Sequence, residues 1–136
     1  MPPTPNEPQQ DHPHVVLVVD DNLDGLTSLV LLLELKGYEV IGASSGEEAI
    51  HLLAGGVRPC AIVLDLIMPK VDGLTFRHWQ TQSPELAAIP VIALTGHEGL
   101  RRQAQADGFA AALLKPVGID DLCVLLGNHC NGRRDG

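Results

Sequence analysis

Five short apolar runs alternate with amphipathic stretches along this chain, and that alternation restricts the fold more than any other feature. The apolar runs are Val15–Val19, Tyr38–Gly42, Cys60–Leu64, Pro90–Leu94 and Ala111–Leu114. The amphipathic stretches are Leu23–Lys36, Gly46–Ala54, Leu74–Gln82, Glu98–Asp107 and Ile119–Asn128. Fully apolar strands that alternate with helices are typical of a parallel sheet covered on both faces. The chain is therefore predicted to form a doubly wound α/β domain of five β/α units, (βα)5.

Length and local composition predict one folded domain with unstructured ends. The chain has 136 residues, the usual size of a single domain. Residues 1–14 contain five prolines, a composition that disfavours a packed core. We predict a disordered leader at 1–14, a folded domain at 15–130 and a flexible tail at 131–136.

The charge balance excludes some classes of partner. There are 17 acidic and 9 basic residues, which gives a formal net charge of −8. Nucleic acids and anionic membranes attract clustered Lys and Arg, so neither is expected to bind this chain directly. No apolar run approaches the ~18 residues of a membrane span, and the first residues lack the pattern of a secretory signal. We expect a soluble, cytoplasmic protein.

The cysteines do not suggest a disulfide framework. Cys60, Cys123 and Cys130 form no CxxC pair, and an odd number fits poorly with a disulfide framework. Cys60 and Cys123 lie in apolar segments, where buried thiols are expected. Unpaired thiols are consistent with a reducing cytoplasm.

The first amphipathic stretch has a wider apolar side than one core-facing stripe requires. Residues 29–33 read LVLLL, five consecutive apolar side chains. Two interpretations stay open for this helix. Either part of its apolar surface is exposed and meets a partner, or the helix is buried more deeply than usual.

The residues that end the predicted strands carry most of the chemistry of this chain. Strand one ends in Asp20 and Asp21, strand three in Asp65, strand four in Thr95 and strand five in Lys115. In open α/β sheets, ligands bind at the carboxyl ends of the strands, so these side chains are expected to converge. Clustered carboxylates suit Mg²⁺, which also favours a phosphate ligand. Lys supplies a positive charge for phosphoryl oxygens, and a carboxylate can itself accept a phosphoryl group.

Four motifs in this order and spacing resemble the receiver domain of bacterial two-component response regulators, of the single-domain type used in chemotaxis. They are VDD at 19–21, LDLIMPKVDGL at 64–74, LTG at 94–96 and LLKP at 113–116. The resemblance spans residues 15–128. It implies a flavodoxin-like fold whose five-stranded parallel sheet has the order 2-1-3-4-5.

The resemblance also implies roles for individual residues. Asp65 matches the phosphoacceptor, which takes a phosphoryl group from a phosphohistidine on a sensor histidine kinase or a histidine phosphotransfer protein. Asp20 and Asp21 match the pair that holds Mg²⁺ (or Mn²⁺), with Asp65 and the backbone carbonyl of Ile67 as further ligands. Thr95 and Lys115 match the groups that contact the phosphoryl oxygens. The rim residues are Met68, Gly96 and His97, and Asp72-Gly73 matches a turn in which Gly73 is free to take positive φ.

One position departs from the family pattern. Receivers often carry an aromatic residue or His three positions before the lysine, where it couples the hydroxyl residue to a signalling surface. Here that position is Ala112, whose methyl group has no rotamers to switch between. Phosphorylation is expected to be retained without this aromatic relay, and whether Phe109 substitutes is left open.

Three alternatives compete with a stand-alone receiver that signals to a downstream protein. A receiver segment of a hybrid sensor kinase or a larger regulator has the same motifs. An aspartyl-phosphate phosphatase needs a carboxylate two residues after its nucleophile, where this chain has Ile67. A flavin-binding module needs a hydroxyl- and glycine-rich phosphate loop after strand one, where Asp20, Asp21 and Asp24 repel phosphate. We expect a phosphoacceptor rather than a turnover enzyme.

Overall fold

A computed structural model describes residues 15–131, so the predicted leader, and the predicted tail apart from the backbone of Asn131, lie outside the described residues. The strands are β1 Val15–Val19, β2 Glu39–Ala43, β3 Ala61–Asp65, β4 Val91–Thr95 and β5 Ala111–Leu114. The helices are α1 Leu23–Leu35, α2 Gly46–Ala54, α3 Gly73–Gln80, α4 Pro84–Ala87, α5 Glu98–Ala106 and α6 Ile119–Leu126, followed by a π-helical turn at Gly127–Asn131. None of the helices within this range combines the length and the apolar character needed to cross a bilayer.

The five strands form one parallel sheet in the order β2-β1-β3-β4-β5, which confirms the predicted fold. The register aligns the carboxyl ends of the strands. Val19 is level with Ala43 on one side, and Thr95 is level with Leu114 at the other end of the sheet. Every strand therefore delivers its last residue to the same edge.

Each face of the sheet carries its own apolar core, because alternate residues of a strand point to opposite faces. Leu17 and Val19 of β1 pack with α2, α3, α4 and α5. Val16 and Val18 pack with α1 and α6, which contribute fully buried leucines to that face. The central strands are buried from end to end, as the continuous apolar runs indicate.

Helix α1 exposes much of its apolar surface, which rules out the interpretation that the helix is buried more deeply than usual, while contact with a partner stays a prediction. Asn22 caps the helix, since its side-chain oxygen accepts a hydrogen bond from the Gly25 N–H at 2.8 Å. Leu33 is the one fully buried residue of the helix. Leu31 is 55% exposed and Leu35 is 82% exposed.

Two local features differ from the sequence predictions. The short helix α4 was not predicted, and Gln80 holds it in place by donating to the carbonyls of Leu86 and Ile89 at 2.7 and 3.0 Å. The prediction that Gly73 takes positive φ is wrong, because in this loop Lys70 does so, at 64°. Gly73 is needed for close packing instead: a Cβ there would lie 2.7 Å from the Leu66 Cα.

The prediction of a free thiol is wrong for Cys60 and is confirmed for Cys123. Cys60 and Cys130 form a disulfide across a sequence separation of 70 residues, with their Cα atoms 5.2 Å apart. The start of β3 and the end of α6 lie at the same edge of the sheet, so residues that are distant in sequence meet there. Cys123 is free and partly buried.

Candidate functional site

Three carboxylates meet at the carboxyl edge of the sheet. Asp20 follows β1, where its N–H donates to the Ala43 carbonyl at 3.1 Å, and Asp65 is the last residue of β3. Asp21 is exposed beside them. One oxygen from each of the three carboxylates lies within 4.8 Å of the other two. The structure therefore assembles the acidic cluster that the strand ends predict.

Lys115 provides the positive charge of this cluster. Its Nζ lies 3.3 Å from Oδ2 of Asp65 and 3.9 Å from Oδ2 of Asp20. The backbone places it there, since the Lys115 N–H donates to the Thr95 carbonyl at 2.8 Å and so extends the pairing of β5 with β4. One ammonium thus faces two largely buried carboxylates.

The electrostatic environment of Asp65 penalises its charged form. Burial raises the pKa of the Asp65 carboxyl above its ordinary value, and repulsion from Asp20 acts in the same direction. The Lys115 ammonium and the Ile67 N–H, which donates to Oδ1 at 3.3 Å, oppose this rise. The net direction is upward, so a second cation at this edge would relieve an existing cost.

Thr95 places a hydroxyl at the end of the neighbouring strand. Its side chain is buried, and its Oγ1 accepts a hydrogen bond from the His97 N–H at 3.1 Å. The hydroxyl hydrogen is left to donate elsewhere. In the register of β3 and β4, Asp65 pairs with Leu94. Thr95 is the next residue of β4, so its hydroxyl lies one residue further along the strand than the Asp65 carboxylate.

The rim residues differ in how much surface they offer. Gly96 and His97 are exposed, and Ile67 is 49% exposed. Met68 is buried in the core on the α3 face, so it contributes packing rather than surface. The carbonyl of Ile67 stays a prediction as a metal ligand. Leu23, which sequence reasoning did not single out, is an exposed leucine two residues beyond Asp21.

The structure answers the question left open for Phe109. Ala112 is buried and lies opposite Ala93, where no aromatic ring is available. Phe109 precedes β5, next to Ala110, whose N–H donates to the carbonyl of Val91 at the start of β4. Thr95 is four residues further along β4, roughly 13 Å at the usual rise of a strand. Phe109 therefore packs far from the site, with the Arg77 guanidinium 5.9 Å from its ring.

The donor set fits Mg²⁺. Carboxylate oxygens are the hard ligands that this ion prefers, and it binds through one or two carboxylates while it keeps waters and accepts phosphate oxygens. Asp20, Asp21 and Asp65 would hold it. A bound Mg²⁺ would supply positive charge to phosphoryl oxygens at this edge.

Known proteins share these features. The sequence model of the family described as "Response regulator receiver domain" matches residues 16–126. The polar-differentiation response regulator DivK of Brucella anthropi is 35% identical over 109 residues, which cover 79% of this chain and 88% of DivK.

Two solved structures are also similar. A response regulator from Chloroflexus aurantiacus is 31% identical, with a TM-score of 0.81 over 88% of this chain and 98% of its own. The receiver domain of a sensor histidine kinase from Pseudomonas aeruginosa is 26% identical, with a TM-score of 0.79 over the same shares of the two chains, and carries a magnesium ion in its active-site cleft. The match over most of the chain, the sheet order and the acidic cluster together establish that this chain belongs to the response regulator receiver domain family.

Proposed function

We propose that this receiver domain accepts a phosphoryl group on Asp65 in a Mg²⁺-dependent reaction and signals by a change of conformation. The observation that carries the proposal is the placement of Asp65. One of its carboxylate oxygens lies within 4.8 Å of oxygens of Asp20 and Asp21, which we propose as metal ligands, and the Lys115 Nζ is 3.3 Å from its Oδ2. A nucleophile, a metal site and a cation for phosphoryl oxygens therefore share one edge of the sheet.

The chemical step transfers the phosphoryl group from a histidine nitrogen of the donor to a carboxylate oxygen of Asp65. A carboxylate oxygen of Asp65 attacks the phosphorus of a phosphohistidine, and the new P–O bond forms as the P–N bond breaks. The electron pair of the broken bond returns to the imidazole of the donor. Lys115 is placed to pair with a phosphoryl oxygen, and the Thr95 hydroxyl to donate to another once it moves toward the site.

The added phosphoryl group changes the balance of charge at this edge. It brings negative charge and new acceptor oxygens, which attract Lys115 and the Thr95 loop and so favour a second arrangement of the packed surface. The product stays on the protein until hydrolysis, so the chain acts as a phosphoacceptor rather than a turnover enzyme. Ile67 offers no carboxylate for phosphatase chemistry, and the acidic pair after β1 disfavours a flavin phosphate.

Exposed apolar residues on α1 support a helical protein as the phosphohistidine donor. Leu23, Leu31 and Leu35, the leucine stripe, lie in one i, i+4 row with Thr27 and are 63%, 55% and 82% exposed. Rows of this spacing are the ridges by which helices pack together. The stripe begins two residues after Asp21, so a helix packed on it would bring its own side chains to the phosphorylation site. A sensor kinase or phosphotransfer protein of the cytoplasm, with a downstream protein target, is the partner we propose.

Incubation with acetyl phosphate and Mg²⁺ tests the assignment of Asp65 without a protein partner. We expect the intact mass of the chain to increase by one phosphoryl group, and Asp65→Asn to abolish the increase because the nucleophile is lost. Asp24→Asn is the matched control, since Asp24 is an exposed carboxylate in the first turn of α1. Labelling that persists in Asp65→Asn, or that is equally lost in Asp24→Asn, would contradict the assignment.

A further inference from the structure

The Cys60–Cys130 disulfide ties the turn that follows α6 to the strand that carries the proposed phosphoacceptor. Cys60 immediately precedes β3, and its N–H donates to the Val15 carbonyl at 2.8 Å. Cys130 lies in the π-helical turn after α6. Asp65 is the last residue of β3, so the disulfide and the phosphorylation site lie at opposite ends of one strand.

Apolar contacts and strand pairing hold the elements on both sides of the disulfide, so we expect the fold to persist without it. Leu122 and Leu126 of α6 are fully buried against the sheet, and they fix the helix through apolar contacts. Strand β3 is paired along its length with β1 and β4. In the folded state the covalent bond adds the attachment of the turn at Gly127–Asn131 through the buried Cys130 side chain, and in the unfolded state it restricts the chain between the two cysteines. Both the oxidised and the reduced chain are therefore expected to be folded.

The two sulfurs differ in access. Cys60 is partly exposed, whereas Cys130 is 3% exposed. A small thiol can therefore approach the bond from the Cys60 side. Cys123 is the free thiol of the same helix, but burial raises the pKa of its thiol, which lowers the fraction of reactive thiolate. Cys123 is therefore expected to compete poorly with an external thiol.

We propose that Cys60 and Cys130 form a reversible redox site, a clip that fastens the π-helical turn after α6 under oxidising conditions and releases it in excess low-molecular-weight thiol. The reversibility rests on the cytoplasmic setting of the proposed function, where disulfides are mostly transient and redox-sensing. The resulting signal is separate from phosphorylation, because it acts at the other end of β3.

The exchange proceeds in two balanced steps. A thiolate attacks the Cys60 sulfur, which forms a mixed disulfide, breaks the Cys60–Cys130 bond and releases Cys130 as a thiolate that takes up a proton. A second thiolate attacks the external sulfur of the mixed disulfide and releases Cys60, which is also protonated. The net reaction converts one protein disulfide and two small thiols into two protein thiols and one small disulfide, and oxidation by that small disulfide is the reverse.

Titration of the full chain with reduced and oxidised glutathione, followed by alkylation and peptide mass analysis, tests the proposal without any phosphorylation. We expect the Cys60–Cys130 peptide pair in oxidised glutathione and two alkylated thiols in excess reduced glutathione. Reduction should lower the Tm by roughly 15–20 °C, the scale expected for opening a loop of about 70 residues in a domain of this size. Amide exchange should rise in residues 127–131, while α1 is unchanged.

Two variants separate the clip from other thiol effects. Cys123→Ala keeps the disulfide and should behave as the wild type, whereas Cys60→Ala should show a Tm that no longer responds to reductant. The wild-type titration and the Cys123→Ala variant remain informative if Cys60→Ala does not fold. The proposal is overturned if the disulfide persists in excess reduced glutathione, if both thiols stay free in oxidised glutathione, or if Cys123 takes part in the bond.

Discussion

Asp65 is the residue where function and stability oppose each other. It must be ionised to act as the proposed phosphoacceptor, yet burial and Asp20 raise its pKa above the ordinary value. The Lys115 Nζ, 3.3 Å from Oδ2 of Asp65, opposes the rise of this pKa, but the pKa stays above the ordinary value. The ionised carboxylate therefore weakens the metal-free fold while it keeps the reactive group in place.

The linkage between protonation and folding gives this conflict a testable sign. Between the ordinary carboxyl pKa of about 3.9 and the raised pKa of Asp65, the folded chain binds more protons than the unfolded chain. The free energy of unfolding contributed by this group therefore falls as pH rises through that window and stays low above it. Without divalent cations, Asp65→Asn should consequently be more stable than the wild type at neutral pH.

Thermal unfolding in EDTA measures this difference. We expect a Tm a few degrees higher for Asp65→Asn at neutral pH, and a gap that closes as pH falls below the ordinary pKa. Asp24→Asn removes an exposed charge from the same region and should leave the Tm nearly unchanged. A wild type that is more stable than Asp65→Asn at neutral pH would show that the attraction of Lys115 exceeds the cost of burial.

At the scale of elements, helix α1 has both buried and exposed leucines. Leu33 anchors it to the sheet, while the leucine stripe faces outward. Leu31→Glu should leave the fold intact, because the position is exposed and both residues favour helix. It should slow phosphoryl transfer from a helical donor by about tenfold, the usual scale for losing one apolar anchor of an interface.

The comparison of two phosphodonors isolates this effect. Transfer rates are measured with a purified histidine kinase that phosphorylates the wild type, and with acetyl phosphate, which needs no docking. Leu31→Glu should slow only the first reaction, whereas Ala54→Glu, an exposed substitution on α2, should slow neither. Equal rates with the kinase for the wild type and Leu31→Glu would exclude the stripe as the docking surface.

Most elements could be predicted from the sequence, because strands and helices of this length show a clear pattern of apolar and polar residues. The bounds of β1, β5 and α2 agree with the prediction, whereas β2, β3 and β4 are shifted by one residue. Pairing with neighbouring strands sets those ends, and a single sequence does not reveal it. Helix α4 was missed because four residues carry no period.

The candidate site was predictable in position because parallel strands deliver their last residues to one edge. The structure brings Asp20, Asp21, Asp65 and Lys115 together there, while their individual roles stay predictions. The disulfide was not predictable, since the meeting of residues 70 apart depends on how α6 crosses the sheet. The exposure of the leucine stripe likewise depends on which side of α1 the sheet covers.

At the scale of the whole molecule, the formal net charge of −8 raises the question of whether a divalent cation acts at a site or only screens charge. Screening depends on ionic strength and is shared by all cations. Binding to the folded cluster instead adds stability that grows with ligand concentration, about 2.7 kcal/mol at 100 times Kd. Among the described residues, oxygens of three carboxylates lie within 4.8 Å of one another. Specific binding should therefore depend on these side chains, whereas screening should not, and substitutions can separate the two effects.

Thermal unfolding in MgCl₂ and in NaCl of equal ionic strength distinguishes the two. We expect Mg²⁺ to raise the Tm of the wild type beyond the effect of NaCl. Asp21→Ala should lose most of this extra rise, at little cost to the fold because Asp21 is exposed. Asp24→Ala changes the net charge by the same amount. It should keep the extra rise in Tm, because Asp24 lies outside the cluster. Equal responses of the two variants would reduce the effect of Mg²⁺ to screening and remove Asp21 from the metal site.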